Sequence, residues 1–255
     1  MLKRILPPAV IVVALIALWE LVAVRAHFGI SVLPTPVQVW DVGWAHRGDL
    51  WTNTLPTLRE TVTGFAVSLV VGFVLSVLID ASDIMRRALM PVLIISQTLP
   101  LIAIAPLIVV LLGFGMVPKI LLVVLVTFFP ITVGLVEGYA ATEPEAETLM
   151  RTMGAGKWRV FRSLRLPTAL PFFFAALRIA ITYAVVAAIF AEYAGAENGL
   201  GIYMEEAFNS NQVALVMAAV VVIAVLTLVL FALTFLVQRL TAPWIHLQRR
   251  REVSL

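Results

Sequence analysis

The largest group of charged residues that could do chemistry lies in one polar stretch, residues 142–171, which separates two strongly apolar segments. Carboxylates stand near its start, at Glu145 and Glu147. Basic side chains follow, at Lys157, Arg159, Arg162 and Arg165. No nucleophile and base stand at a recognisable spacing, since neither an HExxH nor a GxSxG pattern occurs. The chemistry that this stretch supports is therefore non-covalent, through ion pairing and docking.

The polar stretch predicts two short helices that meet at an angle. Thr142 can cap the first helix, Pro144 suits its first turn, and the Glu145 carboxylate can reach back to free backbone N–H groups. Gly154 is expected to end this helix in a left-handed conformation. A second amphipathic turn follows, and Pro167 is expected to break it. The apolar residues of the first helix form one stripe at helical spacing: Ala146, Leu149, Met150 and Met153.

Two interpretations fit these two short helices of residues 142–171, which we call the knob. It can dock into a groove on a soluble partner, as amphipathic helices do. It can also lie as a loop on anionic lipid headgroups, which would attract its four basic side chains. The local pattern leaves both interpretations open.

Composition places this stretch in a membrane protein. The chain has 255 residues, of which 62% are hydrophobic and 13% charged, and its mean hydropathy is +1.03. An ordinary soluble domain has about 25% charged residues. We therefore expect an all-α fold, a polytopic transmembrane bundle that forms a single domain over residues 1–255. Because the chain has no cysteine, disulfides, thiolate metal sites and a cysteine nucleophile are excluded.

Six apolar segments predict six transmembrane helices. They cover about residues 7–24, 57–79, 89–112, 119–141, 172–194 and 213–237. A short interfacial helix is expected near residues 37–44, in the connector after the first span. The third span contains Pro91, Pro100 and Pro106, so it should be kinked or broken and should face protein or a water-filled path at that point.

Small and polar residues mark helix contacts and a candidate path for a solute. The second span has a small residue at every fourth position: Gly64, Ser68, Gly72 and Ser76. Such a pattern lets two helices approach closely, and we favour packing within one subunit over a dimer face. The polar residues that could line a path are Gln97, Thr98, Arg178, Thr182 and Tyr183. For any single one of Gln97, Thr98, Thr182 and Tyr183, a hydrogen bond between helices is the favoured interpretation.

The basic residues indicate the orientation of the chain. In a six-span topology most Lys and Arg residues lie on the side of the polar stretch, including the terminal cluster Arg249–Arg251. Few lie on the other side: Arg25, Arg47, Arg59 and Lys119. The positive-inside rule then places both termini in the cytoplasm, in a multi-pass protein of the cell (inner) membrane. The net charge of +3 reflects this orientation and does not indicate nucleic-acid binding.

The remaining motifs indicate no cofactor or metal site. The fragment GAGKW lacks the earlier glycine of a phosphate-binding loop and the Ser or Thr after its lysine. The histidines His27, His46 and His246 are scattered. We therefore predict no metal site and no cofactor held by this chain.

The polar stretch resembles the cytoplasmic loop of ABC importer permeases, whose motif reads Glu-Ala-Ala, three residues, Gly, nine residues, Ile-x-Leu-Pro. Gly154 matches the glycine, and Leu164-Arg165-Leu166-Pro167 matches the ending with leucine for isoleucine. The front differs, because Thr148-Leu149-Met150 stands in place of Glu-Ala-Ala. The segment that follows, LPTALPFFFAALRIAITYAVVAAIFAEYAGAENGLGIYM, is similar to permeases for nitrate, sulfonate and taurine and to their relatives for thiamine-pyrimidine precursors or riboflavin.

This resemblance implies the permease subunit of an ATP-binding-cassette importer. A separate ATPase subunit would bind ATP and Mg²⁺ and grip the polar stretch, so this chain would not itself be an enzyme. An external binding protein would deliver a small solute, and the path would lie between two copies of the chain, a homodimer, lined by spans three to five. The implied ATPase-coupling residues are Glu145, Glu147, Met150, Met153, Gly154, Ala155 and Pro167. Which solute is carried stays open.

Two other functions are alternatives to this one: a secondary carrier and an intramembrane enzyme. An ion-gradient-driven secondary carrier commonly pairs ionisable residues inside the membrane. Here Arg178 and Glu192 are the conspicuous candidates in the later spans, and about 21 Å along one helix separates them, too far for direct pairing. An intramembrane enzyme would need a nucleophile and base, for which the sequence shows no pattern.

Overall fold

The computed structural model describes residues 2–25 and 33–242. Within these residues the regular elements are helices, in the order α1 (Leu2–Arg25), α2 (Pro36–Ala45), α3 (Arg47–Ala81), α4 (Asp83–Thr98), α5 (Leu101–Leu112), α6 (Met116–Ala140), α7 (Pro144–Thr152), α8 (Lys157–Val160), a π-helical turn (Phe161–Arg165), α9 (Leu166–Tyr193), α10 (Leu200–Asn209) and α11 (Val213–Thr241). The predicted cluster Arg249–Arg251 and the residues His27 and His246 lie outside the described residues.

Among the residues that the structure describes, five continuous helical segments are long and apolar enough to cross a membrane: the α1 segment, α3, α6, the rod from Lys157 to Tyr193, and α11. Helices α4 and α5 taken together are also long and apolar enough to cross a membrane, but they are bent by 98° at the break between them. The predicted all-α membrane bundle is confirmed. The described residues then contain six candidate spans if the bent pair counts as one.

Proline chemistry explains the bend between α4 and α5. Leu99 ends α4 in an extended conformation, with φ −74° and ψ 124°, as expected for a residue that precedes a proline. Pro100 then caps α5, and Pro91 and Pro106 lie inside the two helices. The predicted break in the third span is confirmed at Leu99 and Pro100.

The small residues of α3 let it pack closely against α6. Gly64, Ser68, Gly72 and Ser76 are all buried. A Cβ atom added at Gly64 would lie 2.6 Å from the Cβ of Val123, so only glycine fits there. The Ser68 hydroxyl meets that of Thr127 at 2.5 Å. The predicted packing of this face within one subunit is confirmed.

Helix α6 contacts α9 through a second pair of glycines. A Cβ atom at Gly138 would lie 2.6 Å from the Cα of Ala169, and one at Gly134 would collide with Ala176. These contacts place α3, α6 and α9 side by side at the centre of the bundle. Of the predicted site residues, Pro167, Arg178, Thr182 and Tyr183 lie on α9.

The predicted interfacial helix is present as α2. Thr35 accepts a hydrogen bond from the Gln38 backbone N–H, and the Gln38 side chain accepts one from the Thr35 N–H, which forms a capping box. Trp40 and Trp44 are exposed and stack with their ring centroids 6.2 Å apart. Exposed tryptophans at a span end suit the membrane interface.

Candidate functional site

Helix α7 forms the first half of the polar stretch. It begins at Pro144 and its N-cap is Glu143, whose backbone is extended because it precedes proline. The Thr142 hydroxyl is buried and makes no hydrogen bond within the described residues. The prediction that Thr142 caps this helix is therefore wrong, whereas Pro144 in the first turn is confirmed.

The end of α7 matches the predicted glycine stop. Gly154 has φ +82°. Its N–H donates to the Arg151 carbonyl at 3.0 Å, and the Ala155 N–H donates to the Met150 carbonyl at 3.0 Å. These two bonds form a Schellman motif, which satisfies the last carbonyls of the helix. Gly154 therefore sets the direction in which the chain leaves α7.

The second half of the polar stretch does not break at Pro167. Helix α8 passes through the π-helical turn into α9, and the Leu166 N–H donates to the carbonyl of Phe161, five residues earlier. Pro167 then lies in the first turn of α9. The wide turn accommodates the proline ring, which an unbroken α-helical ladder would not. The predicted break is wrong, and the rod runs on to Tyr193.

A network of ion pairs joins α7 to the bundle. Arg165 contacts both carboxylate oxygens of Asp80, at 2.8 and 2.9 Å, near the end of α3. It also donates to Glu147 Oε2 at 2.8 and 3.1 Å. Arg151 donates to the other oxygen, Glu147 Oε1, at 2.6 and 3.0 Å. We call Asp80, Glu147, Arg151 and Arg165 the loop network.

The loop network changes the role expected for Glu147. Hydrogen bonds from Arg165 and Arg151 lower the pKa of Glu147 below its usual value. Both of its oxygens are engaged inside the chain, so the structure presents Glu147 as an internal bridge. Glu145 is exposed on the same helix and is available to a partner.

An apolar face of α7 points away from the bundle. Met153 is 78% exposed and Leu149 is 61% exposed, one turn apart. Met150 is only half-exposed, as is Ala155. The predicted stripe exists, but Leu149 and Met153 present most of it, because Met150 is partly buried. Trp158 is also exposed and stacks on Phe161 with ring centroids 5.8 Å apart.

A cavity of about 530 Å³ lies where the break between α4 and α5 faces α6 and α9. It contains two of the predicted path residues, Gln97 and Tyr183, and the aromatic rings of Phe129 and Phe190. The Gln97 amide donates to the Leu125 carbonyl at 3.2 Å. No charged side chain lines this cavity among the described residues.

The other predicted path residues lie elsewhere. Thr98 and Thr182 are exposed, and each hydroxyl donates to a carbonyl of its own helix. Arg178 points to α11, where it donates to Gln238 and lies over the ring of Phe235, 4.0 Å from its centroid. The structure thus joins Gln97 and Tyr183 in one cavity and places Arg178 at a helix contact.

A second polar cluster lies at the far end of α9 from the loop. Glu60 and Lys119 form a buried ion pair at 2.5 Å. The Glu192 carboxylate accepts hydrogen bonds from the Thr57 hydroxyl and the Gly201 N–H, each at 2.5 Å. We call Thr57, Glu60, Lys119 and Glu192 the distal cluster. Sequence analysis singled out Glu192 but did not bring it together with the other members. A usable signal is that each ionisable member stands near one end of an apolar span.

Comparison with known proteins shows the family of this chain. Residues 64–247 match the family described as binding-protein-dependent transport system inner membrane component. The chain belongs to this family. A probable ABC transporter permease protein of Haemophilus influenzae is 35% identical over 92% of this chain and 97% of that protein. The formylaminopyrimidine transport permease protein ThiX of Halalkalibacterium halodurans is 35% identical over 94% of this chain and 96% of its own length.

Another relative and two solved structures agree with this family. The riboflavin transport system permease protein RibX of Chloroflexus aurantiacus is 30% identical over 90% of this chain and 87% of that protein. The solved inward-facing structure of the MetNI methionine ABC transporter aligns with a TM-score of 0.61 at 21% identity, over 77% of this chain and 95% of the matched one. A structure of an amino acid ABC transporter with histidines gives 0.63 at 15% identity, over 76% and 95%. The structural likenesses show the fold.

The chain is therefore the transmembrane permease subunit of an ATP-binding-cassette importer, a multi-pass membrane protein. This confirms the function that the resemblance implied and displaces the secondary carrier. Permeases of this family are not themselves catalytic, and ATPase and binding-protein partners are typical of them.

Proposed function

We propose that α7 of this permease docks into a groove on a separate ATPase subunit, which hydrolyses ATP and holds Mg²⁺, while this chain holds no cofactor. The observation that carries the proposal is the outward apolar face of Leu149 and Met153 on a helix that buries none of its own residues. Such a face suits a groove, and methionine adapts to its shape. The exposed Glu145 carboxylate offers a charge for a basic residue at the rim.

The remaining coupling residues support this face from within the loop. Met150 and Ala155 are joined by a backbone hydrogen bond of the Schellman motif, and Gly154 sets its angle. Pro167 lies where the loop enters α9. In this proposal they shape the knob, and Glu147 holds it, so the direct contacts fall to Glu145, Leu149 and Met153.

Photo-crosslinking tests the docking. A photoreactive amino acid at position 149 or 153 is expected to capture the ATPase subunit in membranes that contain the whole importer. The same group at Val13, which is 65% exposed on α1, serves as the control and should capture none. Capture from neither 149 nor 153, in an importer that still transports, would contradict the proposal and favour a loop that lies on headgroups.

The proposal requires the loop and both termini to face the cytoplasm. The surplus of basic residues on the loop side supports this orientation. Because the chain lacks cysteine, the variant Lys157→Cys can be labelled at one site. A membrane-impermeant maleimide should leave it unlabelled in intact cells and label it in inverted vesicles. Labelling from outside intact cells would refute the orientation.

We further propose that residues 1–255 act as one permease domain and that two copies form the path. One face of α9 supports this, because it is exposed in the single chain and runs beside the cavity: Phe172, Ile179, Tyr183 and Val186. A second copy, to which an external binding protein delivers the solute, would cover this face. Disulfide capture between copies carrying Ile179→Cys tests the arrangement, with Val13→Cys as the control.

The cavity favours a planar, uncharged heterocycle as the solute. Phe129, Tyr183 and Phe190 offer rings for stacking, and Gln97 offers an amide for hydrogen bonding. Two of the relatives are named for formylaminopyrimidine and for riboflavin, which are planar nitrogen heterocycles. Tyr183→Ala and Gln97→Ala are expected to weaken the apparent affinity for an aminopyrimidine. Unchanged affinity at normal expression in both variants, or uptake of taurine or nitrate instead, would contradict this assignment.

A further inference from the structure

Helix α7 has little to hold it in place. None of its residues is buried, and Leu149 and Met153 point outward. A short turn connects α7 to α6 at one end and to α8 at the other, and Gly154 forms part of the second turn. A helix that transmits movement must be attached at more than its chain ends, because a loosely attached helix would absorb the movement.

Arg165 supplies the attachment. Its guanidinium group makes four hydrogen bonds, two to Asp80 at the end of α3 and two to Glu147 on α7. Arg165 itself lies in the π-helical turn that continues into α9. One side chain thus joins α3, α7 and α9. The planar guanidinium fixes the angle between two carboxylates in a way that the single ammonium of lysine does not.

We infer that Arg165 is a positioning residue for transport: it fastens α7 to α3 as well as to α9, so that movement of α7 reaches two helices of the central bundle. This inference rests on the proposed docking of α7. It adds that the bridge from Asp80 through Arg165 to Glu147 decides how much of the movement arrives. The half-exposed setting of Arg165 allows the bridge to break and reform during a transport cycle.

Spin-label distances test the attachment without the ATPase. Labels at Thr152→Cys on α7 and Val70→Cys on α3, diluted with cysteine-free chains, should give a narrow distance distribution. Arg165→Gln should broaden it. The matched control Arg162→Gln removes an exposed charge from the same turn and should leave it narrow. An unchanged width in Arg165→Gln overturns the inference.

Reconstituted importer tests the consequence. Arg165→Gln should retain the wild-type amount of ATPase subunit and of crosslinking from position 153, while solute taken up per ATP hydrolysed falls roughly 2- to 30-fold, the range for changes along a coupling network. The double variant Asp80→Arg/Arg165→Asp lets an arginine at 80 bridge both acids and should restore width and uptake. Wild-type uptake per ATP despite a broadened distribution also overturns the inference. If a photoreactive group at 149 or 153 captured no ATPase subunit even with Arg165 in place, the docking proposal would be refuted instead.

Discussion

The two ends of the α3 and α9 pair are both held by acidic and basic side chains, but in different surroundings. In the distal cluster Glu60, Lys119 and Glu192 are buried, and the Thr57 hydroxyl and the Gly201 N–H donate to the Glu192 carboxylate. The second oxygen of Glu60, Oε2, has no hydrogen-bond partner among the described residues, so Lys119 alone compensates this carboxylate. In the loop network the Arg165 side chain is 28% exposed. Removing one partner from a buried pair is costly, because the other charge loses its compensation, whereas water screens an exposed pair. We therefore expect the distal cluster to contribute more to the stability of the fold, and the loop network to serve the movement of α7 proposed above.

Breaking the distal ion pair should have the largest effect on stability. Lys119→Met leaves the Glu60 carboxylate buried without its partner, which should cost about 3–5 kcal/mol of unfolding free energy. The double variant Glu60→Gln/Lys119→Met removes both charges and should recover most of this loss. Thermal unfolding of the purified chain in detergent measures both. An unfolding temperature for Lys119→Met equal to the wild type would contradict the role given to the distal cluster.

Filling the turn beside Glu192 should have a smaller effect. A Cβ atom at Gly201 would lie 2.7 Å from the Ile189 carbonyl oxygen and 2.8 Å from Glu192 Oε2. Gly201→Ala should therefore cost about 1–3 kcal/mol, the range for overpacking. Gly48→Ala is the control, because its Cβ would meet nothing within 4 Å. Equal unfolding temperatures for the two variants would show that the turn is looser than the structure indicates.

Removing Arg165 should change stability less than either distal variant. Its ion pairs are partly exposed, so Arg165→Gln should cost no more than about 1 kcal/mol after solvent screening. The effect should also shrink as salt is added, because screening weakens surface pairs. Unfolding curves at low and high ionic strength measure it. A loss as large as that of Lys119→Met would erase the distinction between the two ends.

The smallest expected effect is that of acid on the ion pairs of the loop network. The folded-state pKa of Glu147 lies below the usual 4.5, so its stabilising contribution is fully present at neutral pH and is lost as the pH falls below 4.5 through the lowered pKa. The distance distribution between labels at 152 and 70 should broaden over that window. The variant Glu147→Gln lacks this carboxylate, so the width of its distance distribution should not change over the same pH window. A transition above pH 5 in the wild type would require another group.

Local patterns made the central features of the fold predictable. The six apolar segments, the break at Pro100 and the close packing of Gly64 to Ser76 each follow from residues within one helix. The stop at Gly154 follows from six neighbouring residues. In each case the cause is backbone geometry or a hydrophobic run, and the whole cause lies within one short stretch.

Contacts between distant residues could not be predicted in this way. Glu60 and Lys119 are 59 positions apart, and Arg165 and Asp80 are 85 apart. No periodic pattern links such residues, and their pairing depends on how α3, α6 and α9 are placed. The continuation through Pro167 was missed for another reason, since the rule for proline assumes an α-helical ladder and the chain forms a π-helical turn there.

The proposed coupling requires α7 to act as a rigid knob, and substitutions at two glycines test this directly. A Cβ atom at Gly154 or Gly156 would meet nothing within 4 Å, but Gly154 has φ +82° whereas Gly156 has φ −70°. Valine should therefore strain only position 154, by about 1–3 kcal/mol. In reconstituted vesicles with matched protein amounts, Gly154→Val should lose ATP-dependent uptake while Gly156→Val retains it. Wild-type uptake and solute-stimulated hydrolysis in Gly154→Val would contradict the account.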